Sequence, residues 1–266
     1  MFKHTRCTLS VTLMLLMGFG AVAPADAADD TIKIGTEGTW KPFSYQDAAG
    51  NLVGFEVELV RAVCEKAQVK CELVVIPWES LIPALQEEKI DGIASGMRVT
   101  AKRKKIVDFT LPYYKNSSTF SSCKHKDLKD NSPDALKGMS VGVQAGSNHL
   151  DFLKSRYPML DIRTYKNVDD VYADLSSGRL DLALGGKSTI YDYMQTEAGK
   201  DCSYVGAEIT DPEFYSDGTA IALRKGDVET KEKLDHGVKA VLEDGTFEKI
   251  NARYWPFSIK FNGPAN

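Results

Sequence analysis

Past residue 30 the apolar positions follow two periods in turn. Thr31 to Gly35 alternates polar with apolar, the pattern of a half-buried strand, and Phe55, Leu59, Val60, Val63 and Ala67 then recur at the 3.6-residue spacing of a helix over residues 55 to 69. Glu72 to Ile76 reads as the next strand. Trp78 to Glu88 reads as a helix burying Leu81, Ile82 and Leu85, and Gly92 to Ser95 as a strand. Met139 to Val143 and Asp161 to Tyr165 have strand patterns, and Lys231 to Leu242 and Thr246 to Tyr254 have helical ones, with Gly245 as the break between them. Strands alternating with amphipathic helices imply α/β layers around mostly parallel sheets.

Within this alternation lies a near-repeat. Trp78 to Gly96 and Val168 to Gly186 are of equal length, and aligning them places Leu85 on Leu175, Ile90-Asp91 on Leu180-Asp181, and Gly96 on Gly186. Each copy reads as a helix, a tight turn and a buried strand. Chance agreement on so common a unit is one account of the match; two similar α/β lobes are the simpler one. Tyr113 to Ser122 carries the chain from the first lobe to the second and Thr219 to Leu223 returns it. This predicts lobe I over 28–117 plus 220–266, lobe II over 118–219, a two-stranded hinge, and a central cleft where a ligand is held.

The first residues change the setting. Lys3 and Arg6 precede an apolar run from Leu9 to Val22, and Ala25-Asp26-Ala27 supplies small residues at the spacing of a cleavage site, so residues 1–27 read as a signal peptide rather than a membrane span. Removing them takes away two cations and one anion, which moves the net charge from -4 to -5 and argues against nucleic acid or an anionic membrane surface as partner. Four cysteines remain, Cys64, Cys71, Cys123 and Cys202. In an oxidising compartment they suggest two disulfides, with three pairings open in principle. Cys64 near a helix end and Cys71 opening the next strand are the readiest pair, which leaves Cys123 with Cys202. Nothing in the chain supplies a CxxC pair or a histidine cluster, so no metal or cofactor is expected.

Several ordered motifs carry a resemblance. Glu37-Gly-Thr-Trp-Lys-Pro-Phe43, Gly54-Phe-Glu-Val-Glu-Leu59, Ile90-Asp-Gly-Ile, Met97-Arg-Val-Thr-Ala-Lys-Arg103, Asp108-Phe-Thr-Leu-Pro-Tyr113, Val141-Gly-Val-Gln and Ala222-Leu-Arg-Lys-Gly226 follow one another in the chain. Together they resemble the polar amino-acid-binding proteins of ABC importers, solute-binding protein family 3, over about residues 30 to 258. The spacing of Cys64 and Cys71 is similar to that of the basic amino-acid binders. The Glu37-Gly-Thr start, Trp78 and the Gly178 to Asp181 stretch look closer to the octopine and nopaline binders. The resemblance implies the two-lobed periplasmic-binding-protein fold, a small-molecule carboxylate ligand, an ABC permease as membrane partner, and a monomer that is not an enzyme.

Residue chemistry and the resemblance converge on a ligand set. Thr100 can cap a helix from Ala101, which puts Arg103 in its first turn, where backbone N–H groups and a guanidinium favour an anion. The resemblance places the carboxylate-binding arginine there. Ser95, Gly96 and Arg98 lie at the C-terminal end of a strand, where ligands meet parallel sheets, with Arg98 either holding an extra acidic group or facing solvent. Ser147 and Asn148 open a second helix and match carboxylate donors, although Ser147 also suits a plain capping role. Trp40 and Trp78 match rings that sandwich a ligand's aliphatic or cationic part, and Glu37 a contact to a basic side chain.

Gly186 departs from the pattern. Relatives that bind free α-amino acids carry an aspartate there against the α-ammonium, so this ligand either lacks a free α-ammonium, as an opine or other N-substituted amino acid does, or is neutralised from elsewhere, by Glu37 or Asp217. A shift of one residue that brings in Asp181 is the alternative. The rival function is a periplasmic lyase of the cyclohexadienyl dehydratase kind, for which Lys187 with Glu37 is the one candidate acid/base pair. Gly186-Lys187-Ser188 resembles the end of a phosphate-binding loop, but the first glycine of that motif would fall at Asp181, which excludes it.

Overall fold

The computed structural model describes Met1 and residues 31–263 except Lys126 and Ser216. The expected signal peptide, beyond Met1, lies outside the described residues. Two five-stranded sheets organise the chain from Thr31 onward. The first runs β5 (Cys71–Val75), β1 (Ile32–Thr36), β6 (Gly92–Ile93), β13 (Ala222–Leu223), β7 (Asp108–Phe109). The second runs β10 (Asp161–Tyr165), β9 (Ser140–Gln144), β11 (Leu182–Gly186), β8 (Ser118–Ser122), β12 (Ser203–Ile209). In both, three parallel strands come first and an antiparallel strand is fourth: β13, which follows all the strands of the second sheet, in the first, and β8, which directly precedes β9, in the second. A small meander of β2 (Thr39–Trp40), β3 (Ser44–Gln46) and β4 (Leu52–Val53) sits on the first sheet's side.

The matched orders bear out the repeat. Leu85 and Leu175, like Ile90 and Leu180, are fully buried at equivalent places. The aspartates match too: an Asp91 oxygen accepts the Lys33 N–H of β1 at 2.9 Å, and an Asp181 oxygen accepts the Ser140 N–H of β9 at 2.9 Å. Each carboxylate thus satisfies a strand amide beside its own turn, a reason for an acid at that position in both copies.

Helices cover the sheets as the periodicity predicts. α1 (Phe55–Ala67) buries Phe55, Leu59, Val60 and Val63 against α8 (Val228–Glu243) and α9 (Thr246–Asn251). The helix expected from Trp78 begins instead as a 3-10 turn over Trp78–Ser80 and becomes α2 (Leu81–Gln86) after it, because Pro77 and Pro83 limit the amide donors near its start. α3 (Ala101–Lys104) is a single turn, and α4 (Asn148–Arg156), α5 (Val168–Ser176), α6 (Lys187–Met194) and α7 (Pro212–Tyr215) flank the second sheet. Disulfides join Cys64 to Cys71 and Cys123 to Cys202, the pairs expected. Among the described residues no helix is long and apolar enough to cross a membrane, and no cluster of metal-ligating side chains occurs.

The two crossing segments lie side by side. Tyr114 and Thr219 form an antiparallel bridge, as do Arg98 and Thr219, and the Thr219 N–H donates to the Tyr114 carbonyl at 2.8 Å.

Candidate ligand-binding site

A cavity opens at the C-terminal ends of the parallel strands of both sheets. Its lining includes Glu37 after β1, Ser95 and Gly96 after β6, Gln144 ending β9, Ser147 to His149 entering α4, and Gly185 and Gly186 ending β11, with Trp40 and Trp78 as its aromatic walls. Of the residues singled out from the sequence, Glu37, Trp40, Trp78, Ser95, Gly96, Ser147, Asn148 and Gly186 therefore meet in one place.

Gly96 is the tightest point. Its φ of 62° lies in the left-handed region, and a Cβ there would stand 2.3 Å from the Trp40 ring, so the indole packs directly on the glycine backbone. Trp40 is held in turn by a parallel stack on Phe43, with centroids 4.2 Å apart. Ser95 accepts the Glu37 N–H at 3.0 Å, which fixes the loop carrying that carboxylate.

Glu37 is 4% exposed and is the one carboxylate among the described residues of the lining. Burial pushes its pKa up, against hydrogen bonds from Gln144 and Thr39 that pull it down. The Gln144 amide donates to it at 2.8 Å across the two sheets' strand ends, a direct polar tie between the halves. Ser147 takes the capping role: its hydroxyl accepts the Leu150 N–H and donates to the Gln144 carbonyl at 2.7 Å. Asn148 donates its amide to the Phe214 carbonyl.

Arg103 and Arg98 are placed differently from the rest. Thr100 caps α3 and accepts the Arg103 N–H at 3.2 Å, as its spacing predicts. The Arg103 side chain is 8% exposed, lies behind the cavity wall with its guanidinium over the Trp78 ring at 5.3 Å, and donates to the Arg98 carbonyl. Arg98, expected either in the cleft or in solvent, is in neither. It is 5% exposed and points at the crossing segment, donating to the Asn116 carbonyl at 2.7 Å and to Ser118, with Tyr215 beneath it. One of its nitrogens, Nη1, has no hydrogen-bond partner among the described residues. Burial lowers the pKa of both guanidinium groups, Arg103 to about 10, with Arg98 as its next cause. Neither forms an ion pair among the described residues, and the charge of Asp151 offsets Arg103 only in part, a setting that favours an incoming anion. Their charge, after burial itself, also keeps His149 neutral with a pKa of about 3, its ring nitrogen 3.0 Å from the Tyr215 hydroxyl.

At Gly186 the structure replaces one side chain with another. A Cβ there would stand 2.1 Å from the Asn116 amide nitrogen, and Asn116 accepts the Ser188 N–H at 3.0 Å, doing for α6 what a capping residue at 186 would do. The other acids considered are committed elsewhere. Asp181 lies at the far end of β11 with Ser140 and Lys124, and Asp217 pairs with Lys104 at 2.8 Å, so neither reaches the cavity. Lys187 pairs with Glu208 and is absent from the lining, so it makes no acid/base couple with Glu37. Among the residues not singled out from the sequence are Asn116, Gln144, His149, Tyr172 and Thr189; Gln144 lay in one of the ordered motifs and Tyr172 in the near-repeat.

Residues 32–257 match the bacterial extracellular solute-binding proteins, family 3. The chain is 35% identical to the lysine/arginine/ornithine-binding periplasmic protein of Escherichia coli K12, over 94% of this chain and 97% of that one. It is 34% identical to the L-arginine-binding protein of Pseudomonas aeruginosa, over 89% and 92%. Among solved structures, an ancestral arginine-binding protein bound to arginine superposes with a TM-score of 0.77 at 33% identity, covering 85% of this chain and 98% of that one.

Proposed function

The chain belongs to the bacterial extracellular solute-binding proteins, family 3, and we propose that it captures in the periplasm an amino acid with a cationic side chain, N-substituted at the α-nitrogen in the manner of an opine, for the membrane permease of an ABC importer. Lobe I, over 28–117 and 220–266, offers Glu37, Trp40, Trp78 and Arg103. Lobe II, over 118–219, closes on them, and the paired crossings act as the hinge. Glu37 receives the cationic end between the two indoles. Arg103 receives the carboxylate, turning out from behind Trp78 as the ligand enters. The closed form is what the permease recognises, and the protein works as a monomer.

The observation that carries the N-substituted ligand is the pair Gly186 and Asn116. The place that would hold an acid for an α-ammonium is filled by a neutral amide, and Glu37 is already assigned to the side chain. The names of the relatives, which bind lysine, arginine and ornithine or arginine, support the cationic side chain. The test is a thermal-shift and calorimetry series with L-arginine, L-lysine, L-histidine, octopine and nopaline. An opine that outbinds its parent amino acid by tenfold or more supports the reading. Tighter binding of the free amino acid overturns the N-substitution and leaves the cationic class standing, and no binding to any of the five overturns both.

A further inference from the structure

We infer that Glu56, which lines no part of the cavity, is a positioning residue that couples the cavity floor to the first crossing segment. This rests on the capture reading above and adds a residue to that site. Glu56 lies in the first turn of α1 and is 1% exposed. One carboxylate oxygen accepts the Gly96 N–H at 2.7 Å; the other accepts the Tyr113 hydroxyl at 2.6 Å. Gly96 forms the floor under Trp40, and Tyr113 begins the segment that leads to β8 and pairs through its neighbour Tyr114 with Thr219. A single side chain therefore ties the left-handed turn at Gly96, the ring that rests on it and the strand pair about which the halves move.

A buried carboxylate without a cation is costly, and no lysine or arginine pairs with this one among the described residues. What compensates are the two donors and the amino end of α1. The titratable groups facing it are Tyr113 and Tyr114, the latter also near Arg98, and none of them neutralises it. Burial raises the Glu56 pKa to about 7, against the pull of its hydrogen bonds, so it changes charge within the range a periplasm samples. Protonation converts the Gly96 contact from a charge-assisted hydrogen bond to a neutral one and loosens the floor beneath Trp40.

The experiment uses the whole mature protein. In the unliganded form, the Gly96 amide proton is followed by NMR from pH 5 to pH 9 alongside the Glu56 carboxyl carbon, in wild type, Glu56→Gln and Tyr113→Phe. Affinity is then measured across the same range with whichever of L-arginine, L-lysine, L-histidine and octopine the wild type binds most tightly. The Gly96 amide is expected to titrate with the Glu56 midpoint, and Tyr113→Phe to move that midpoint upward. Affinity is expected to fall as pH drops through the midpoint in wild type, and Glu56→Gln to bind about tenfold more weakly with a flat profile. A Gly96 amide that does not follow Glu56, or a folded Glu56→Gln with wild-type affinity and pH profile, overturns the inference. If Glu56→Gln fails to fold, the wild-type titration and Tyr113→Phe decide it. If none of the four probes binds while Gly96 still titrates with Glu56, the capture reading fails and the link between floor and crossing stands.

Discussion

The side-chain amide of Asn116 occupies the space into which any side chain at Gly186 would project, its nitrogen 2.1 Å from where a Cβ would stand. One residue on the first crossing and one at the end of β11 are therefore a matched pair, and neither can be exchanged alone. Gly186→Asp by itself overpacks the site and is expected to destabilise the protein by about 1–3 kcal/mol. Adding Asn116→Gly makes room, and the new aspartate can cap α6 in place of Asn116. The double variant is expected to recover most of the lost melting temperature and to gain affinity for free L-arginine over octopine. Melting curves and calorimetry on the three proteins check both halves; a single variant as stable as wild type shows that the space is not contested.

Arg103 and Arg98 repel one another in a dry setting. On the proposed reading, truncating Arg103 removes the group that receives the ligand carboxylate, and it also relieves that repulsion. Arg103→Ala is expected to abolish the melting shift produced by a carboxylate ligand while leaving the ligand-free melting temperature within a few degrees of wild type or above it. Loss of the ligand shift together with a large fall in the ligand-free value would instead assign Arg103 to the fold.

Glu56 gives stability a pH dependence of known sign. Its pKa is raised on folding from the ordinary 4.5 to about 7, so across that window the folded chain holds more protons than the unfolded one. The stability it contributes is therefore present at the acid end, declines as pH rises toward about 7, and is constant beyond. Melting temperatures from pH 4.5 to pH 8 should show this decline in wild type and a flatter curve in Glu56→Gln. The ligand affinity expected of the same group runs in the opposite direction with pH.

The two disulfides close loops of very different span, with sequence separations of 79 for Cys123–Cys202 and 7 for Cys64–Cys71. The loss of chain entropy predicts a cost of about 4.5 kcal/mol for replacing the long-loop pair by alanine and about 2.4 kcal/mol for the short-loop pair. Denaturant unfolding of the two double variants measures the difference, and equal costs would locate the effect in local packing.

What could be read from the sequence follows from how local each signal is. The repeat at Trp78 to Gly96 and Val168 to Gly186 was legible because its parts, a helix stripe, an aspartate at the turn and a glycine at the strand end, each leave a mark at fixed spacing; the two sheets reproduce it down to the matching strand amides. The capping of α3 by Thr100 was legible for the same reason. Arg98 was not, since nothing near it in the chain tells that the Asn116 carbonyl, a neighbour only in space, claims its guanidinium. The same holds for Asn116, whose amide and its role at Ser188 are joined across 72 positions. At Gly186 the absent acid was legible only against the family resemblance, and the group filling its place was not legible at all.

The strand inserted fourth in the first sheet has a consequence for how the molecule comes into being. β6 and β7 pair only through β13, at Ala222–Leu223, more than a hundred residues later. A chain delivered amino end first therefore presents two unpaired strand edges throughout the emergence of the entire second sheet, and edges of that kind recruit other chains. The stretch that ends before β8 therefore cannot complete its own sheet, whereas the second sheet's five strands all lie between Ser118 and Ile209, and whatever shepherds the nascent polypeptide must shield the first sheet's edges until its last fifth is delivered.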